Sequence, residues 1–130
     1  MKNIVGTWAL VHAVTKDAAG NDHPSAFGPK AMGRVTFNSE GRMMAVLCDG
    51  RAEAPPGGTR DYVSYCGNYH YDGTHLVTRV DATSDPERMD TDQVRAVRFE
   101  GSRMVLTPPP RLSGDITLHR ELYWERLSEV

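Results

Sequence analysis

Tyr62-Val63-Ser64-Tyr65-Cys66-Gly67-Asn68-Tyr69-His70-Tyr71, then Asp72-Gly73, then Thr74-His75-Leu76-Val77-Thr78-Arg79-Val80-Asp81-Ala82 is the stretch whose reading decides the fold. Two runs of aromatic and β-branched residues flank an Asp-Gly pair. That is the strongest short-range hairpin signal, because a two-residue type I′ turn needs positive φ at both central positions. The spacing predicts that Tyr71 pairs with Thr74. Counting back sets Tyr69 against Leu76, Gly67 against Thr78, Tyr65 against Val80 and Val63 against Ala82 on one face. His70 and His75, Asn68 and Val77, Cys66 and Arg79, and Ser64 and Asp81 share the other. One face is aromatic and aliphatic and the other polar, so the sheet has a single covered side. A slip of one residue would exchange the faces.

Working outward, residues 33–47 read as a second hairpin turning at Ser39-Glu40-Gly41, with Phe37 opposite Met43 and Val35 opposite Ala45 on the dry side. Residues 93–106 read as a third around Glu100-Gly101, pairing Phe99 with Ser102, Val97 with Met104 and Arg95 with Leu106. This register sets Arg98 against Arg103, a like-charge pair tolerable only in solvent. Residues 6–14 form a first strand carrying Trp8, Leu10 and His12 on one side, and residues 116–126 a last strand carrying Leu118, Arg120, Leu122 and Trp124 on one face. The connections alternate. Those at 16–32, 48–61, 83–91 and 108–115 are long and rich in Pro and Gly, whereas the three between them are tight.

In an antiparallel meander successive connections fall at opposite ends, so the long loops gather at one end and the tight turns at the other. About eight such strands close into a barrel that is filled by side chains or holds one small ligand. The expectation is an all-β, antiparallel up-and-down barrel of about eight strands in a single domain, its mouth among the long loops. Trp8 and Trp124 are expected at the floor, with an arginine such as Arg126 over a tryptophan. The competing architecture is an open two-sheet sandwich, and pairing of the first strand with the last decides between them.

A chain of 130 residues suits one core. A net charge of -2, with no Lys/Arg-rich run, argues against a nucleic-acid partner. Met1-Lys2-Asn3-Ile4-Val5-Gly6 leads almost directly into a strand without an apolar segment, so the expectation is a cytoplasmic protein with Cys48 and Cys66 as reduced thiols. The expected partner is a small hydrophobic molecule, with a homodimer left open and neither nucleic acid nor membrane expected.

Gly6-Thr7-Trp8, Gly41-Arg42-Met43, Tyr65-Cys66-Gly67-Asn68-Tyr69 with Asp72-Gly73, Gln93-Val94-Arg95 and Trp124-Glu125-Arg126 together resemble the bacterial lipocalin-like domain family of stand-alone calycin barrels. The resemblance spans essentially the whole chain. It implies a lipocalin-like barrel with an internal cavity and carries no shared catalytic set, so activity has to be argued from the site. Where many members carry histidines in the strand after Asp-Gly, this chain has Thr78 and Arg79.

Arg95 is the sharpest candidate, because it shares a face with Val97 and Phe99, and a buried guanidinium requires an anion. Tyr65 and Tyr69 fall on the inward face, with Tyr65 nearer the mouth. Arg120 shares the parity of Leu118 and Leu122, and His12 that of Trp8, which makes His12 a candidate general base. Arg95, Tyr65 and His12 form the expected catalytic set; Tyr69, Arg120, Val35, Val80, Leu106 and Leu118 form the expected ligand-binding set. No metal site is expected, because Cys66 pairs well along the strand from His70 and His75 and no fourth ligand is evident. Neither a nucleophile elbow nor a phosphate loop nor a dinucleotide fingerprint occurs, so no cofactor is expected. These residues suggest a cofactor-independent isomerase, cyclase or lyase acting on a small apolar carbonyl compound. The rival reading is a carrier or sensor that leaves a hydrophobic molecule unchanged, and a third is a filled barrel whose outer face binds a partner.

Overall fold

In the computed structural model, residues 2–53, 57 and 60–130 are described; part of the connection read at 48–61 lies outside them. Among the described residues nine strands follow one another: β1 (Gly6–Asp17), β2 (Ala31–Phe37), β3 (Arg42–Asp49), β4 (Tyr62–Tyr71), β5 (His75–Thr83), β6 (Asp92–Glu100), β7 (Arg103–Thr107), β8 (Arg111–Ser113) and β9 (Ile116–Ser128). A short 3-10 turn, Pro86–Arg88, lies in the connection after β5. The sheet runs β1 through β7 in order, then β9, and β9 returns to β1, so eight antiparallel strands close a barrel with β8 added on β9. The sandwich alternative is thereby excluded.

Closure runs from Thr7 opposite Ser128 to Asp17 opposite Leu118. At the tight-turn end Trp8 is buried, donates from Nε1 to the Ile4 carbonyl at 2.9 Å, and lies under Arg126, whose guanidinium carbon is 4.5 Å from its ring centroid. Arg126 in turn donates to the Asn3 carbonyl. The floor is thus a tryptophan beneath an arginine, sealed by the N-terminal segment. Trp124 stands differently from expectation: it pairs with Leu10 and Met104, and its ring reaches across to Gly33, where a Cβ would sit 3.4 Å from Cη2. It forms cavity wall and not floor.

The second hairpin keeps its expected register, Phe37 opposite Met43 and Val35 opposite Ala45. The other two are each displaced by two residues. Tyr71 pairs with Leu76 and Tyr69 with Thr78; Glu100 pairs with Arg103 and Phe99 with Met104. The cause is common to both. Gly73 (φ 99°) and Gly101 (φ 59°) are the first of the two loop residues and not the second, which is the type II′ arrangement. Arg103 therefore faces Glu100, and the like-charge pair with Arg98 does not form. A shift of two preserves side-chain parity, so the inward faces stand.

Two further departures matter for the site. Pro108-Pro109-Pro110 offers no backbone N–H, and the edge facing β9 is split there into β7 and β8. The expected long loop is therefore partly a strand arm above the mouth. Between β4 and β5 a bulge at Asp81 lets Gly67 face Val80 while Cys66 faces Ala82. A Cβ on Gly67 would lie 1.8 Å from the Arg79 carbonyl oxygen. Gly67→Ala is expected to cost about 3 kcal/mol or more of stability, since backbone and not a side-chain tip must give way. Urea denaturation checks this, and an unchanged midpoint would refute the close approach.

Candidate functional site

The long-loop end of the barrel opens into a cavity of about 370 Å³. Inward residues of the strands supply an apolar wall that includes Val35, Met43, Ala45, Leu47, Val63, Leu76, Leu106, Leu122 and Trp124. β1 leaves β2 after Ala9 and continues against β9 alone, and Ser25, Ala26 and Phe27 from loop 18–30 line the cavity beside β1.

Four arginines border this space: Arg88, Arg95, Arg111 and Arg120. Arg88 is paired with Asp85 at 3.4 Å and lies over the Tyr65 ring. Glu121 also borders the cavity, but its carboxylate is engaged by Arg98. Among the described residues no carboxylate pairs with Arg95, Arg111 or Arg120. Arg95 donates to the Val94 carbonyl at 2.8 Å and to Gln93 Oε1 at 3.3 Å, and the same neutral oxygen accepts from Arg88 at 3.2 Å. Burial pushes the Arg95 pKa down, with Arg88 adding to the effect and the nearby Tyr65 hydroxyl opposing it. Burial likewise lowers Arg120, to about 10, and Arg111, Arg95 and Arg88 push the same way. An excess of desolvated positive charge at the head of an apolar cavity is a site for an anion or for an oxygen that becomes one.

The structure brings together Arg95, Tyr65, Arg120, Val35 and Leu106 around the cavity. It does not bring the other four. His12 is exposed on the outer face, its ring 5.5 Å from that of Tyr123. The reason is a bulge at Val11: Leu10 pairs with Trp124 and His12 with Tyr123, so parity reverses before His12. Tyr69 is inward but too deep, packed on Phe37 and donating from its hydroxyl to the Asn38 carbonyl at 2.8 Å near the closed end. Burial raises its pKa. Val80 is buried core that does not line the cavity, and Leu118 is covered where β9 pairs with β8 and the end of β1. Cys48 and Cys66 are separate free thiols, and His70 and His75 are exposed. Sequence reasoning missed Arg88 and Arg111, which fall in the stretches 83–91 and 108–115 read as loops, where no periodicity assigns a direction. Trp124 had a signal in the facing glycine: an inward Gly33 opposite a large ring.

This arrangement agrees with the comparison against known families, in which the lipocalin-like domain matches residues 5–127. The chain belongs to the lipocalin-like domain family. Comparison with curated proteins and with solved structures gave no match. No helix among the described residues of this lipocalin-like barrel is long and apolar enough to cross a membrane.

The mouth of the lipocalin-like barrel is held by Asp49, whose side chain is covered. Its carboxylate accepts from Arg51 Nε at 3.0 Å and Nη2 at 2.5 Å, while Arg60 donates to its carbonyl at 2.8 Å. Its backbone N–H bonds to Asp61, and the adjacent Gly50 N–H to Lys30, so both long loops meet here. Arg51 holds the Asp49 pKa down at about 2. A depressed carboxylate stabilises the fold above its unfolded value and loses that contribution as pH falls toward the folded one. Urea midpoints of the wild type should therefore fall between about pH 4 and pH 2, and those of Asp49→Asn should fall less. Parallel profiles would remove Asp49 as the latch.

Proposed function

We propose that the barrel binds a small, largely apolar carbonyl compound in its cavity and converts it without a cofactor, by enolisation, isomerisation, cyclisation or elimination. The observation that supports this is Arg95: a desolvated guanidinium with no carboxylate partner among the described residues, next to the Tyr65 hydroxyl, above apolar walls. Arg95 holds the oxygen on which negative charge grows, where a fixed cation acts most strongly once water is excluded. Tyr65 donates its hydroxyl proton to one carbon and takes one from another, so it ends as it began. His12, on the outer face, has no part in this.

The carrier reading is favoured by one observation: with His12 outside, the described residues of the cavity lining include no imidazole to serve as base. Incubation of carbonyl compounds with the protein in D2O, followed by mass and chiral analysis, separates the two. Deuterium uptake or a new product is expected, lowered about a hundredfold in Arg95→Met and in Tyr65→Phe. Tight binding with no exchange across the panel would make the protein a carrier.

Arg95→Met keeps the length of the side chain and removes its charge. It should leave the fold intact and weaken an anionic or enolisable ligand by about 2–5 kcal/mol. Calorimetric titration reads this, and equal affinity for both proteins would exclude Arg95 as the anchor.

A further inference from the structure

On the outer face of the strands several arginines are set against carboxylates: Arg42 against Asp81, Arg79 against Asp92, Arg98 against Glu121, Arg103 against Glu125. Arg120 breaks that pattern. It stands inward on β9 opposite Thr15, and its Nε is buried with no hydrogen-bond partner. Arg111 on β8 borders the same space, and Arg95 lies close enough to act on Arg120. Asp85 and Glu121, the two acidic residues that border the cavity among the described ones, are already held by Arg88 and Arg98. Arg126, whose Nε is likewise without a partner, rests on the Trp8 ring and donates to the Asn3 carbonyl, whereas among the described residues Arg120 has no carboxylate, ring or hydrogen-bond acceptor to hold it.

We propose that the ligand is an apolar carboxylic acid bound as its anion, the carboxylate seated on Arg120 and Arg111 and the hydrocarbon body on Val35, Ala45, Leu76 and Leu106. A planar carboxylate matches the paired donors of a guanidinium, and it gives Arg120 the acceptor the chain withholds. Arg95, which borders the same cavity, remains for a second oxygen, so a substrate in this class is an oxo acid. The proposal rests on the cavity being the binding site, as set out above.

Its test is calorimetric titration with decanoate, decanol and decylamine, three probes that differ in the head group. Decanoate should bind about tenfold or more tightly than decanol, and decylamine more weakly than either. Arg120→Met should abolish the preference for decanoate and leave decanol unchanged, and Arg120→Lys should retain part of it. Thermal unfolding of the free protein provides an independent reading. Removing an unpaired, repelled cation should leave the melting temperature of Arg120→Met equal to or above that of the wild type. Equal binding of acid and alcohol would overturn the carboxylate proposal while leaving the cavity as the binding site. Failure of all three probes would overturn both. A melting temperature that falls in Arg120→Met, with decanoate preference retained, would make Arg120 structural.

Discussion

Pairing of β1 with β9 is the contact on which everything else depends. A meander of this length has two exposed edges until its ends meet, and joining them removes both at once. It also defines an inside. Once β9 is held between β1 and the β7–β8 edge, Trp8, Leu10, Trp124 and Arg120 have fixed heights along one axis, and the floor, wall and head of the cavity follow. The N-terminal segment then serves as the bottom plug by covering Trp8 from below. The site is a consequence of the closure and needs no element added to it.

The head of the cavity runs against the stability of the fold. Guanidinium groups taken from water and left without counter-charge cost free energy, and grouping them adds mutual repulsion. The same chain pairs its surface arginines freely, so the arrangement inside is a local exception. Proteins place such exceptions where function requires them and offset them elsewhere. Here the offset includes the buried Asp49 with Arg51, and the neutral Gln93 amide, which accepts from two cations without cancelling either.

What could be read in advance was whatever depends on parity. Alternation gave the inward faces, and it survived misplaced turns in two hairpins because the error at Gly73 and at Gly101 was an even number of residues. It failed at His12, where one extra residue, Val11, reverses the count, and nothing in the local composition announces a bulge. Tyr69 had the right direction but the wrong depth. Depth depends on how far the side chains above fill the barrel, which is a property of the packed whole. The arginines of the cavity divide along the same line: Arg95 and Arg120 lie on strands that alternation marks and were legible, whereas Arg88 and Arg111 fall in stretches read as loops and were not.

The placement of the two tryptophans has an optical consequence. The sequence contains two, Trp8 and Trp124. Trp8 is closed off under Arg126 with its indole N–H already bonded, so its emission should be indifferent to what the barrel holds. Trp124 borders the cavity and its indole N–H is buried without a partner, so its surroundings change with the contents. The chain thus carries a constant chromophore and a responsive one in the same fold, and the occupancy of its interior is written in the difference between them.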